Sequence, residues 1–140
     1  MAVTTAQKIK RRGGDHNLKA LGVAATRTLY GGTLAFEDAG GDASDVKVDA
    51  NTTFLGVVCD TADNSAGVDG DKNAEFYTDG EFELSFPSGG LVAANVGADV
   101  HASDNYTATL TATANPKIGV LTKVVSATVA LVQIRGLGQA

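Results

Sequence analysis

The sequence contains no tryptophan, one cysteine and two prolines, and aromatic residues make up 6% of its 140 residues. A single cysteine cannot form a disulfide within the chain, so no covalent cross-link supports the fold. Because aromatic side chains are few, Val, Ala, Leu and Ile must supply most of the hydrophobic core. The same scarcity leaves little to line a binding site for a sugar or a nucleobase.

No apolar run approaches the ~20 residues that a membrane-spanning helix needs. The charged N-terminal residues are also not followed by the apolar stretch of a signal peptide. The sequence therefore predicts a protein that is made in a cytoplasm and has no membrane partner. The lone Cys59 follows the apolar run FLGVV (54–58), which favours a buried and unreactive thiol.

The sequence is rich in glycine, with 17 residues, and 44% of its residues are hydrophobic. Abundant Val, Thr and Ala, interrupted by Gly, Asp and Asn, favour short strands joined by tight turns. A chain of this length fits one domain with a sizeable core. We predict an all-β, single-domain fold of short antiparallel strands at 21–26, 33–37, 46–49, 53–60, 74–78, 81–86, 99–102, 106–111, 117–123 and 128–135.

The clearest local pattern is EFYTDGEFELSF (75–86). Phe82, Leu84 and Phe86 alternate with polar residues, which is typical of a strand with one buried face. The dipeptide at 79–80, Asp-Gly, suits a two-residue turn. The segment therefore predicts a β-hairpin. Residues 128–135 show a similar alternation and predict a second strand with a buried face.

Two series of short motifs follow one another in the same order. The first is GTLAF (32–36), FLGVV (54–58) and EFYTDG (75–80), and the second is GADVH (97–101), KIGVL (117–121) and VQIRG (132–136). They indicate an internal duplication, in which two related β-motifs pack together in one domain. Chance similarity in a sequence rich in Gly and Val is the competing explanation.

Charge is divided unevenly along the chain, whose net charge is −5. The first 30 residues hold most of the basic residues and one acid, whereas residues 37–83 are strongly acidic. Residues 1–20 follow neither a helical nor a strand period. We predict an extended basic arm (1–20) that orders on an acidic partner, and a β-rich domain (21–140). The arm's candidate binding residues are Lys8, Lys10, Arg11, Arg12 and Lys19; a merely solvated tail is the alternative.

No catalytic motif occurs in the sequence. It has neither a Gly-x-Ser-x-Gly elbow nor a phosphate-binding loop ending in Gly-Lys-Ser/Thr. His16 and His101 lack partners at the spacing of metal ligands. Glu81 and Glu83 share a strand face, an arrangement that paired catalytic carboxylates also use, but the solvent-facing side of a strand explains them equally well. We predict no catalytic residue, no cofactor and no enzymatic activity.

One loop is rich in the oxygen ligands that Ca²⁺ prefers. Its residues are Asp60, Asp63, Asn64, Asp69, Asp71 and Asn73. The last three match the first ligand positions of an EF-hand loop, but Ala74 replaces the required glycine and Gly80 replaces the bidentate glutamate. A solvated acidic loop is favoured and no metal is predicted. The weak candidates for a calcium site are Asp60, Asp63, Asp69, Asp71 and Asn73.

Nucleic acid is a less favoured partner for the basic arm. Four basic side chains could neutralise phosphates with salt-sensitive affinity. No aromatic residues interleave with them to stack on bases, and the acidic remainder of the chain would repel a duplex. An acidic protein surface therefore fits the arm better.

From residue 21 onward the sequence resembles the capsid decoration (cement) proteins of tailed bacteriophages. The resemblance is carried by FLGVV (54–58), DGEFEL (79–84), VGADVHA (96–102), NPKIGVL (115–121) and VQIRG (132–136). In that family a Gly-Asp-x-Val-Tyr-like step leads through a Thr-rich strand to an Ile-Gly-Val step and a closing Val-rich strand. Here His101 takes the place of the usual aromatic residue.

The resemblance implies a β-barrel or β-tulip-like module that binds the outside of an icosahedral head, often as a homotrimer. The partner would be the major capsid protein, the location would be the capsid surface of the virion, and the role would be structural. The arm would add a strand to a neighbouring sheet edge and order only on binding. Alternatives are another virion component, such as a head fibre or tail component, and a Ca²⁺- or glycan-binding surface β-domain.

Overall fold

The computed structural model describes residues 2–7, 9, 11–13 and 18–137, with residues 11–13 described by their backbone. Within these residues lie one turn of 3-10 helix, Ala93–Asn95, and no α-helix, which confirms the predicted all-β class. The strands are β1 (Arg11–Gly13), β2 (Leu18–Gly22), β3 (Thr28–Leu29), β4 (Leu34–Glu37), β5 (Ala43–Ser44), β6 (Phe54–Val58), β7 (Ala62–Asp63), β8 (Asn73–Tyr77), β9 (Asp79–Ser85), β10 (Asp99–Ala102), β11 (Ala108–Thr109), β12 (Lys117–Ser126) and β13 (Val129–Arg135).

The strands form two large sheets and one small one. The first sheet has the order β2-β8-β6-β4-β5, and the second has the order β1-β9-β13-β12-β10-β11. Strands β3 and β7 pair separately. All these pairings are antiparallel. Both large sheets are open in the part of the chain described, so the barrel form implied by the resemblance is not found there.

The two large sheets pack face to face around one core. That core contains Leu34, Phe36, Phe54, Val57, Phe82, Leu84, Phe86, Leu91, Val100, Ala102, Ala108, Ile118, Leu121, Ala130, Val132 and Ile134. A smaller cluster, which includes Leu29, Leu55 and Phe76, lies on the other face of the first sheet. Strand β6 is therefore buried on both faces, and this explains its continuous apolar run. Strands β9 and β13 bury one face, as their alternation predicted.

The predicted hairpin at 75–86 is wrong. Strand β8 belongs to the first sheet and β9 to the second, so the chain crosses between sheets at Thr78, which is fully buried. Gly80 lies within β9 opposite Ile134, with φ at +118°, rather than in a turn. The Asp-Gly pair therefore begins β9 and forms no turn. A turn motif does not show which strands pair with each other. The two strands that flank Asp79 and Gly80 lie in different sheets, so they do not form a hairpin.

The other differences lie in strand ends and short elements. The strand predicted at 21–26 is β2, which runs from Leu18 to Gly22. Residues 46–49 form a loop rather than the predicted strand, and Val46 and Val48 are exposed. The predicted strand at 106–111 is reduced to Ala108–Thr109. The two-residue strands β3, β5 and β7 are too short to leave a period in the sequence.

The two large sheets have the same topology. Along the chain the first sheet uses β2, β4, β5, β6 and β8, and the second uses β9, β10, β11, β12 and β13. In space these become β2-β8-β6-β4-β5 and β9-β13-β12-β10-β11, with β1 added beside β9. If the five strands of each copy are numbered along the chain, both sheets have the spatial order first, fifth, fourth, second, third. The topology thus supports the duplication indicated by the sequence, and each sheet is one copy of the repeat.

The repeat extends to the register of the strands. Ala35 lies opposite Gly56 in the first copy, and Val100 lies opposite Gly119 in the second. In both copies the register shifts at the next residue. A Cβ atom on Gly119 would collide with the carbonyl oxygen of Gln133, and one on Gly56 would collide with the equivalent oxygen of Tyr77. Both glycines are therefore required by close approach of the neighbouring strand.

A turn before β4 and β10 is also repeated. The N–H of Gly32 donates to the carbonyl of Val58, and the N–H of Gly97 donates to that of Leu121, both at 2.8 Å. The φ angles of the two glycines are +80° and +92°. Since other residues rarely adopt these angles, both turns favour glycine.

We expect Gly119→Ala to destabilise the protein by about 2 kcal/mol, because the added methyl group must displace the adjacent strand. Urea denaturation measures the free energy of unfolding. Gly40→Ala is the matched control, since the nearest atoms to a Cβ there lie 3.5 Å away. Equal stability of the two variants would show that β12 and β13 do not approach as closely as described.

Candidate functional site

The N-terminal segment, residues 2–7, 9 and 11–13, lies against the body of the same chain. Its first attachment is Val3, whose N–H donates to Asn105 Oδ1 at 3.0 Å. Asn105 Nδ2 in turn donates to the carbonyl of Val3 at 3.3 Å. Asn105 is fully buried, so these bonds satisfy an amide that water does not reach. Through these two bonds the Asn105 side chain holds the segment by its main chain.

The second attachment lies on the turn before β4. The N–H of Gln7 donates to the carbonyl of Gly31 at 2.6 Å. The carbonyl of Gln7 rests so close to Gly32 that a Cβ there would overlap it. Gly32 is thus required both by its positive φ and by the segment that crosses it.

The third attachment is β1, which pairs with β9 through Arg11 opposite Phe82 and Gly13 opposite Glu81. Ile9, just before β1, packs against the core between the sheets. The segment therefore touches both copies of the repeat. It contacts the turn at Gly31 in the first copy and β9 in the second.

The predicted basic cluster is only partly described. Lys8 and Lys10 lie outside the described residues, as do the side chains of Arg11 and Arg12. Lys19 is exposed on β2, at the edge of the first sheet. The predicted boundary between residues 20 and 21 falls inside β2, so the chain has no structural break there.

Three of the candidate calcium ligands, Asp60, Asp63 and Asn73, line one surface cavity together with Lys72 and Glu75, and Asp69 and Asp71 lie outside that lining. Asp63 accepts hydrogen bonds from the Thr28 hydroxyl and the Ser65 N–H, and Asp71 accepts one from the Val68 N–H. The Asp63 carboxylate therefore links β7 to β3 and caps the turn that follows, and the Asp71 carboxylate holds its own loop. Asp60 is exposed on a loop and Asn73 begins β8.

Asp69 instead lies beside two carboxylates that sequence reasoning did not select. One carboxylate oxygen from each of Asp38, Asp42 and Asp69 lies within 4.8 Å of the others. Burial, followed by the charges of Asp69 and Asp38, raises the pKa of Asp42. Asp69 also accepts the N–H of Ala25, and Asp38 accepts the N–H of Gly40. The cluster thus brings the carboxylates of two loops together at a cost in charge repulsion.

Asn64, which the sequence groups with the acidic residues of its loop, has a structural role. It is 2% exposed, and its Nδ2 donates to the carbonyls of Val23, Ala24 and Val68. The two amide hydrogens of Asn64 are thereby shared among three carbonyls of two separate loops.

The remaining candidates for chemistry are dispersed. Glu81 accepts a hydrogen bond from the Thr122 hydroxyl at 2.6 Å. His101 Nδ1 lies 3.2 Å from the carbonyl of Asn115, whereas His16 is outside the described residues. Cys59 is partly buried rather than fully buried, and burial raises the pKa of its thiol. A raised pKa keeps the thiol protonated and weakly nucleophilic.

We expect Asn105→Ala to lower the free energy of unfolding by about 2 kcal/mol, because it removes two hydrogen bonds at a buried position. Deleting residues 2–5, which keeps the bond from Gln7 to Gly31, should have a similar effect, since the same contact with Asn105 is lost. Combining the two changes should cost little more than either alone, as judged by a denaturation cycle. Asn51→Ala, on an exposed loop, is the control. Full additivity would show that Asn105 does not hold the segment.

We expect Asp42→Asn to raise the melting temperature slightly at neutral pH. A carboxyl group whose pKa is raised on folding disfavours the folded state while ionised, and this penalty disappears as pH falls through the raised pKa towards the ordinary 3.8. The advantage of the variant should therefore vanish in acid. Melting curves across pH measure it, with the exposed Asp60→Asn as control. A variant that loses stability at neutral pH would contradict the repulsion.

In the described part of the chain, no helix has the length and apolar character needed to cross a membrane. Comparison with protein-family models, curated proteins and solved structures finds no match to this chain.

Proposed function

We propose that this protein is a structural, non-enzymatic component of a bacteriophage virion that binds the outer surface of the capsid and stabilises the assembled head. The motifs behind the resemblance to decoration proteins support it. Each one lies on, or leads into, a strand of the two copies: β6, β9, β10, β12 and β13. They are therefore parts of one packed framework rather than scattered similarities of composition.

The N-terminal segment is the observation that carries the proposal. It is attached to the body through main-chain hydrogen bonds at Val3, Gln7 and β1. Strand addition of this kind also joins separate proteins, because it needs an extended chain and a free edge more than a particular sequence. To connect subunits, the segment would exchange from β9 of its own chain onto the equivalent edge of a neighbouring subunit.

The charges of the segment and of the body differ in sign, and this favours binding of the segment to an acidic surface. The basic residues of the segment precede a stretch, residues 37–83, with 13 acids and two lysines. An acidic body remains in solvent while a basic segment is drawn to an acidic surface on the shell. The partner in this proposal is the major capsid protein.

Repetition supplies the stabilisation in this proposal. A homotrimer would present three segments and three bodies to neighbouring shell subunits. Each contact can be weak, because linked contacts bind much more tightly than single ones. A site shared among shell subunits also exists only on the assembled head, which makes binding selective for it.

The proposal is tested with heads that lack the protein, prepared from the phage that encodes it. Purified protein should cosediment with heads to a fixed stoichiometry and should not bind unassembled capsid subunits. Electron microscopy of labelled particles should place it on the head. Labelling of a tail or fibre would replace the proposal by another virion role, and absence of binding would refute it.

Reversing the charge of Lys8, Lys10, Arg11 and Arg12 to glutamate should weaken head binding by about tenfold or more and reduce its salt dependence. A quadruple change elsewhere controls for net charge. For this control we choose Lys47, Lys72, Lys117 and Lys123, all in the body. Equal losses in the two variants would show that the segment has no special part in binding.

A further inference from the structure

The duplication makes β2 the counterpart of β9. Lys19 lies opposite Phe76 in the first sheet, and Phe82 lies opposite Val132 in the second. Phe76 and Val132 are equivalent in the repeat, so Lys19 occupies the position of Phe82. Both strands stand beside the last strand of their copy, β8 or β13.

The outer edges of these two strands differ. Strand β9 is covered by β1, whereas β2 ends the first sheet and no strand of the described chain lies beside it. The first three residues of β2 are exposed, and Leu18 is 52% exposed. The positions of β9 that correspond to these residues alternate between buried and partly buried. An edge that is occupied in one copy is therefore open in the other.

The hydrogen-bonding groups of β2 show which of its atoms are available. The N–H of Val23 donates to the carbonyl of Lys72 at 2.8 Å, which marks a hydrogen-bonded pair. In an antiparallel ladder such pairs alternate. The main-chain groups of Leu18, Ala20 and Gly22 therefore point away from β8. The first two of these positions correspond to Glu81 and Glu83 of β9, on the edge that β1 covers.

We propose that the outer edge of β2 is the docking site for an extended segment of a second protein, which adds to the first sheet as an antiparallel strand. Each chain has one N-terminal segment but two equivalent edges. Because its own segment already lies on β9, the occupant of β2 comes from elsewhere. The inference rests on the proposed function, in which that protein is the major capsid protein.

Lys19 indicates the chemistry of the occupant. At its position in the second copy, Phe82 is buried and lies opposite Arg11 of β1. A lysine at the open edge favours a carboxylate on the opposite strand. Pairing of β2 with β2 of a second copy would bring two lysines near one another, which is unfavourable. The occupant is therefore an acidic extended segment rather than a second copy of this chain.

The test compares Ala20→Pro with Ala20→Val. Proline removes an N–H that makes no bond to β8, so the ladder of the first sheet is kept while an added strand loses a donor and meets the proline ring. Valine keeps the donor and suits a strand. We expect Ala20→Pro to weaken binding to undecorated heads by about tenfold and Ala20→Val to bind like wild type. Thermal melting checks that both variants fold.

Hydrogen exchange of the wild-type protein provides a second measurement, which decides the matter if Ala20→Pro fails to fold. The amides of Leu18, Ala20 and Gly22 should become protected when the protein is bound to heads. Binding without this protection, or normal binding by a folded Ala20→Pro variant, overturns the β2 site and leaves the proposed function intact. No binding to heads at all overturns both.

Discussion

The two copies of the repeat are joined where their main chains touch without intervening side chains. The carbonyl of the buried Thr78, at the crossing between sheets, accepts a hydrogen bond from the N–H of Gly136, just after β13, at 2.7 Å. The next residue, Leu137, donates to the carbonyl of Leu55 in β6 at 2.9 Å. A Cβ on Gly136 would collide with that carbonyl. The alignment of both sheets, and thus the core between them, depends on this contact.

Local pattern predicted the strands and their buried faces better than their partners. Alternation at Phe82, Leu84 and Phe86 correctly identified the inward face of β9. It could not show that β9 leaves the sheet of β8, because the pairing of β9 with β13 spans more than forty residues. The matching order of the two motif series indicated which strands are equivalent in the two sheets, and so which strands pair over long separations. Equivalent motifs occupy equivalent strands, so the duplication was the better guide to topology.

The docked segment and the carboxylate cluster could not be predicted, for a similar reason. Asn105 contacts Val3 across 102 positions of sequence, and neither residue lies in a recognisable motif. The acidic loop is a calcium-site candidate in the sequence through its density of charge alone. Folding directs those carboxylates to nearby N–H groups, and places Asp69 beside Asp38 and Asp42 from another loop. Composition identified which residues are charged, and three-dimensional pairing decided which of them meet.

The separation of the two sheets along the chain has a consequence for synthesis on the ribosome. Every strand of the first sheet lies between residues 18 and 77, and the small β3–β7 pair that accompanies it lies there too. This half can assemble its smaller apolar cluster before the second half has been translated. The face of the first sheet that belongs to the core between the sheets stays exposed until β9 to β13 have been synthesised. The first sheet can then serve as the surface against which the second sheet folds.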